Sequence, residues 1–421
     1  MRKLKYIYNT NRQAPIALMD QAVVSGAGFI TGVLLARFLG LSSYGVFAMS
    51  WLVVLFFGSI QQAFIIAPLQ TLLPKKEKEE KDAFLNMMFL QQLLFALLVA
   101  AITYLFCRFS TVMFFDSLEL RSVEIIMPLA VLTYLMNEYF RKLFFVEGRS
   151  RTALVLDLIS YSTQIVGLVA VAYLHQLNLQ RAIIIIALSN SISSTYGLLK
   201  TKSLQWHFQE FGTHLRETWN YSGWLIGTSL LQWFSGNFFI VTAGGILGPV
   251  SVGAIRMAQN IIGVLNILFL AMENFIPTNA AKIYHEKGLK NLYAYLRQVM
   301  LLAGAATFML ILSIVVFSSQ IIDFLYGHDY IKYENVLFGF ALLYLFVFTG
   351  LLLRFFIRTV EKNRDIFISY VLSAGFSLIL AAPMVSTFGM AGVFAGLIVT
   401  QIIVQVWYLY SLKSELTIVW K

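Results

Sequence analysis

Arg256, Gln259, Asn260, Gly263, Asn266, Glu273 and Asn274 all lie in one apolar stretch, residues 251–276. At 3.6 residues per turn they fall within about 140° of a single helix face, and at 1.5 Å per residue the stripe is about 25 Å long. An ionisable group that deep in an apolar stretch costs at least about 2.5–3.5 kcal/mol on insertion scales, so it faces water or a partner. The residue types suit particular tasks. An arginine grips phosphate oxygens in bidentate fashion, amides exchange hydrogen bonds with hydroxyl groups, and a carboxylate can carry a proton or sodium ion. A hydrated track along this face accounts for the whole stripe.

Weaker faces of the same kind occur elsewhere. Thr228, Gln232, Ser235, Gly236 and Thr242 share a face of stretch 221–243. Gln21, Ser25, Gly28 and Gly32 share one in 16–39, with Asp20 and Thr31 beside it, and Ser50, Gly58, Gln61 and Gln62 lie in 45–69. Small and polar residues at such spacings are equally what glues membrane helices together. The remaining charges read as local: Arg37 snorkels outward, Glu138 and Arg141 form an in-helix pair, and Asp157 pairs with a basic neighbour at the inner surface. Arg354 and Arg358 read chiefly as inner-side topology charges, and His207 and His214 as interfacial polar residues rather than ligands.

The elements that position these residues are membrane helices. The chain is 59% hydrophobic and 12% charged, with a mean hydropathy of +0.75, against about 25% charged residues in a soluble domain. Candidate spans are 16–39, 45–69, 83–107, 122–145, 153–174, 181–199, 221–243, 251–276, 295–318, 333–357, 366–387 and 390–412. Each approaches or exceeds the ~20 residues needed to cross hydrocarbon as a helix. Backbone groups with no partner in lipid exclude open strands. Of the 31 basic residues, only Arg37, Arg108, Arg121, Arg181, Arg256 and Lys332 fall on what becomes the outer side when the N-terminus is cytoplasmic. That asymmetry fixes orientation and predicts both termini in the cytoplasm. It also explains the net charge of +10 without nucleic acid.

The chain repeats itself. Leu39-Gly40-x4-Gly45 returns as Leu247-Gly248-x4-Gly253, joining the first two stretches of each half. Phe144-Phe145-Val146-Glu147 is echoed by Phe355-Phe356 with Glu361, among basic residues in both places, and Pro68 by Pro277. Both halves enter from the same side, so the repeat is parallel. The expected fold is therefore an all-α polytopic membrane protein of about twelve spans. Its two six-helix lobes, residues 1–200 and 220–412, flank a central cavity, and a short cytoplasmic tail covers 413–421. Residues 201–219, with Leu204, Phe208, Phe211, Leu215 and Trp219 at helical spacing, read as an interfacial linker helix.

Several classes are excluded. The single Cys107 precludes an intramolecular disulfide or a cysteine metal cluster. A basic N-terminus before an apolar run resembles a signal peptide, but its length favours an uncleaved first helix. No Gly-x4-Gly-Lys-Ser/Thr loop is present, so direct ATP use is not expected, nor is any cofactor. The outer loops carry only scattered acids (Asp116, Glu119, Glu124, Asp323, Asp329 and Glu334), too few and too dispersed for a membrane glycosyltransferase or polymerase. The chain does not read as an enzyme.

The stretch ARFLGLSSYGVFAMSW, Ala36 to Trp51, resembles the first loop of bacterial polysaccharide and O-antigen exporters. Met19-Asp20-Gln21 with Ser25-Gly26 resembles their first span, and Ile322-Asp323-Phe324-Leu325-Tyr326-Gly327 their connection from ninth to tenth span. These exporters are the lipid-linked oligosaccharide flippases of the multidrug/oligosaccharidyl-lipid/polysaccharide exporter superfamily. The resemblance implies a cavity lined by spans one, two, seven and eight. It also implies movement of an undecaprenyl-pyrophosphate-linked glycan between the leaflets of the bacterial inner membrane, with polymerase and glycosyltransferases as associated proteins. Lipid II flippases of the superfamily carry two further helices, which argues against the peptidoglycan precursor as cargo. On this basis Arg256 is expected to contact the anionic head, and Gln259, Asn260 and Asn266 the sugars. Gln232, Gln21 and Gln62 are expected to line the cavity, and Asp20 and Glu273 to carry H+ or Na+. A cation-coupled multidrug antiporter of the same superfamily is the rival reading.

Overall fold

A computed structural model describes residues 2–113, 123–201 and 211–420 of the chain, and among these residues every regular element is helical. The linker residues 202–210, with His207, and the outer residues Asp116, Glu119 and Arg121 lie outside the described residues. Helices α1 (Arg2–Gln61) and α2 (Ala67–Leu72), with a π-helical turn Gln62–Ile66 between them, contain the first two spans. They are followed by α3 (Lys78–Met113), α4 (Ile126–Val146), α5 (Ser150–Tyr173), α6 (Leu179–Lys200) and α7 (Phe211–Leu247). Next come α8 (Pro249–Ile262), α9 (Leu265–Val316), α10 (Ser318–Tyr326), α11 (Glu334–Thr359), α12 (Asn363–Ser411) and α13 (Lys413–Trp420).

The twelve expected spans fall on these helices. Among the described residues, eight helical stretches are long and apolar enough to cross a membrane. Three of them, Met19–Lys75, Leu265–Val316 and Asn363–Ser411, each run through parts of two expected spans, divided at Gly40 (φ 77°), Gly288 (φ 76°) and Gly389 (φ 58°). A residue with a side chain resists these backbone angles, whereas glycine adopts them readily. Large apolar side chains point outward along the helices, for example Met300, Leu301, Leu302, Phe308 and Met309 of α9, the surface that lipid covers in a multi-pass protein.

The chain divides into two compact units, residues 1–230 and 231–421. In the first, α4 packs against α3, α5 and α6, and α1 packs against α5. Gly197 of α6 lets the Phe140 ring of α4 reach the backbone, since a Cβ there would meet the ring at 2.7 Å; small residues admit such approaches between membrane helices. In the second unit α11 is central, packed against α8, α9 and α12. The first turns of α7, from Phe211, belong to the expected interfacial segment and run unbroken into span seven.

The turns show the duplication most directly. Gly40 (φ 77°, ψ 167°) and Gly248 (φ 85°, ψ 175°) have nearly the same backbone conformation. The fourth and tenth spans close with the same pair of hydrogen bonds. Gly148 N–H bonds the Phe145 carbonyl and Arg149 N–H that of Phe144; Glu361 N–H bonds Arg358 and Lys362 N–H bonds Ile357. This aligns Glu361 with Gly148, not with Glu147, so the acidic echo expected from the sequence is one residue out of register. The conserved element is the left-handed turn, which Gly148 enters at φ 74° and Glu361 at φ 62°.

Candidate functional site

In the first unit, three spans bring their charges to one point. Arg141 of α4 places Nη2 2.7 Å from Asp20 Oδ2 of α1 and Nε 2.6 Å from Asp157 Oδ2 of α5. The in-helix partner Glu138 is farther, at 3.7 Å from Nη1. The expected local Glu138–Arg141 pair is thus secondary, because two tertiary carboxylates lie closer to the guanidinium. Asp157 pairs with a basic residue as expected, though that residue comes from the neighbouring span. Asp20 and Asp157 are each 1% exposed. Three carboxyl groups around one guanidinium leave the cluster with surplus negative charge when all are ionised.

In the second unit the stripe of span eight is not one continuous helix. It ends at Ile262 and restarts at Leu265, with tight hydrogen bonds of Asn266 N–H to Gly263 and Ile267 N–H to Val264. Gly263 permits the break, because a Cβ there would lie 2.8 Å from the Gln259 carbonyl oxygen. The expected uniform helical phase therefore fails at that point, yet α10 and α11 pick up the polar groups on both sides of it. Arg256 Nη1 lies 3.4 Å from Gln259 Oε1, Asn260 donates to the Tyr326 hydroxyl at 2.9 Å, and the Tyr344 hydroxyl donates to Asn266 Oδ1 at 3.4 Å. Arg354 Nη2 meets Glu273 Oε1 at 2.5 Å. Arg354, read from the sequence as a topology charge, is thus the partner of Glu273. The row holds two guanidiniums and one carboxylate.

The other expected site residues are placed as follows. Gln21 is half-buried and donates to Ser25 at 3.2 Å on its own helix. Gln62 and Gln232 are exposed. Gln61 is instead buried and donates to Gln92 at 2.8 Å and to the Leu135 carbonyl at 2.7 Å. Ser235 bonds Ser373 at 2.7 Å and Gln164 bonds Thr31 at 2.8 Å, contacts that hold helices together. His214 bonds Gln91 at 3.0 Å. The reading from sequence gave no site role to Tyr326, Tyr344, Gln91 or Gln92. The adjacent amides Gln91-Gln92 in the middle of the third apolar stretch were a usable signal, since polar pairs at that depth need partners.

Eight membrane-long apolar helical stretches among the described residues, with charged clusters inside them, mark a multi-pass membrane protein, and two family models identify it as a transporter of the multidrug/oligosaccharidyl-lipid/polysaccharide exporter superfamily. The family model described as polysaccharide biosynthesis protein matches residues 13–280, and the chain belongs to that family. A second model, MatE, matches residues 225–383. No curated protein matches the chain in sequence.

Among solved structures, the chain is similar to an inward-facing multidrug resistance MATE family transporter of the MOP superfamily, with TM-score 0.71 and 13% identity over 93% of this chain and 94% of the other. It is similar to the lipid II flippase MurJ in an inward closed conformation, with TM-score 0.70 and 15% identity over 94% and 87%. A MOP superfamily transporter from Pyrococcus furiosus Vc1 (DSM3638) matches with TM-score 0.58 and 14% identity over 96% and 94%. These likenesses agree on the fold expected from the repeat.

Proposed function

We propose that this protein is a flippase that moves the head of an undecaprenyl-pyrophosphate-linked oligosaccharide from the inner to the outer leaflet of the bacterial cytoplasmic membrane. Transport proceeds by alternating access and supplies surface polysaccharide or O-antigen synthesis. The observation that carries the reading is the row on span eight, where Arg256 and Arg354 stand against the single carboxylate of Glu273. Net positive charge suits a pyrophosphate, and the amides of Gln259, Asn260 and Asn266 suit sugar hydroxyls. Only the head needs this path, because the tail remains in lipid and most of the desolvation cost is avoided. A cationic drug would meet the wrong sign here. The MatE match and the MATE-like fold nevertheless keep the antiporter as the second reading.

Proton or sodium coupling falls in this reading to the first unit, at Asp20 with Asp157 and Arg141, because three carboxyl groups there share one guanidinium. Glu273, the other candidate, already has Arg354 as its counter-ion. The test is genetic. Deletion should remove surface polysaccharide, and Arg256→Ala should fail to restore it at unchanged protein abundance. Full restoration by the variant removes Arg256 from the site, and dye sensitivity with intact polysaccharide favours the antiporter.

A further inference from the structure

The second span contains a bend that the transport reading leaves unused. Its π-helical turn Gln62–Ile66 is closed by the Ala67 N–H on the Gln62 carbonyl, and Pro68 follows directly in α2. Proline has no N–H, so the Phe64 carbonyl four residues earlier loses its α-helical donor. Lipid offers no replacement. The donor comes from another helix, for Gln91 Nε2 of α3 lies 3.3 Å from the Phe64 carbonyl. The Gln91 side-chain oxygen is in turn held by His214 Nε2 at 3.0 Å. The Thr218 hydroxyl stands 3.3 Å from that oxygen, while also within reach of the Leu215 and His214 carbonyls at 3.0 and 3.1 Å. His214 and Thr218 are both on α7. All three side chains are buried.

Around this chain, α7 grips the second span on both sides of the bend. Ser229 donates to the Ser59 carbonyl at 2.9 Å before it, and Tyr221 bonds Thr71 at 2.9 Å after it. Lys76 and Glu217 close the inner end at 2.9 Å. The two ends of Gln91 therefore serve different elements: its amide completes the bend, and its oxygen follows the position of α7.

We propose that the Phe64–Gln91–His214/Thr218 chain is a relay that ties a hinge in the second span to the position of α7. Displacement of the first turns of α7 releases the Gln91 oxygen, lets its amide swing away and leaves the Phe64 carbonyl without a donor. The π turn then opens. Pro68 makes the hinge dependent on Gln91, because an N–H at position 68 would satisfy the carbonyl locally.

Amide hydrogen exchange on the full-length protein in nanodiscs, with no substrate present, tests this separately from the transport reading. The double variant His214→Ala/Thr218→Val keeps Gln91 but removes its anchors. Exchange in residues 62–70 should rise about fivefold, the factor that one ordinary hydrogen bond contributes. Adding Pro68→Ala should abolish that rise, and Gln91→Leu should reproduce it. If Gln91→Leu does not fold, the double variant with and without Pro68→Ala decides. Exchange that rises only in 211–222, that fails to rise in 62–70, or that rises equally in the Pro68→Ala background overturns the relay.

Discussion

At the scale of single residues, the strongest constraint is Arg141. It is the common partner of two carboxylates that are almost fully buried. Breaking a buried ion pair costs about 3–5 kcal/mol, because the remaining charge has no counter-ion. Arg141→Met should therefore lower the unfolding temperature in detergent sharply. Asp20→Asn or Asp157→Asn should cost much less, since each still leaves Arg141 with a close carboxylate partner and lessens the crowding of like charge. Equal losses for all three variants would show that the cluster acts through packing rather than charge. The individual charges were legible in the sequence as ionisable groups within apolar stretches. Their pairing was not, because Asp20 and Arg141 lie 121 positions apart and only the packing of α1, α4 and α5 brings them together. The partner of Arg354 was hidden for the same reason: nothing local to it points to Glu273.

At the scale of elements, the turns carry more information than the helix interiors. Glu361 occupies a left-handed conformation that costs a residue with a side chain about 1–3 kcal/mol, while its counterpart Gly148 enters it freely. Glu361→Gly should raise the unfolding temperature by a few degrees in a thermal melt, and a fall would mean that the Glu361 side chain contributes contacts outweighing the strain. Helix α13 offers a pH test outside the membrane spans. Burial alone would raise the pKa of Glu415, but hydrogen bonds from Lys362 and Ser414 outweigh it and hold the carboxyl below the usual glutamate range. With the folded value below the unfolded one, this stabilisation is full above the unperturbed glutamate pKa of about 4.3 and fades as pH falls through the folded value. Proteolysis of the C-terminal helix should accelerate over that acidic range, and Lys362→Met should weaken the pH dependence, leaving the part due to Ser414. The break at Gly263 was not legible as a break. A wheel drawn over 251–276 assumes one helical phase, and a lone glycine inside an apolar stretch reads just as well as a packing residue.

At the scale of the whole molecule, hydropathy located the spans because lipid leaves the backbone little choice but helix. The repeat was legible through Gly40 and Gly248, whose backbone angles agree closely. It was legible only in approximate register at the second pair of turns, where Glu361 replaces glycine. Substrate identity lies beyond any such pattern, since the same fold serves a multidrug transporter and a lipid II flippase among its likenesses. The central claim is that a pyrophosphate-bearing glycan head crosses the membrane along the polar row of span eight. Its most direct test uses proteoliposomes carrying a labelled undecaprenyl-pyrophosphate oligosaccharide, with leaflet transfer followed by the label's accessibility to an external lectin. The wild-type chain should transfer the glycan, and Arg256→Ala should slow transfer at least tenfold at equal reconstitution, as losing a charge-assisted phosphate contact implies. Absence of transfer by the wild-type chain, or equal rates for the two proteins, would contradict it.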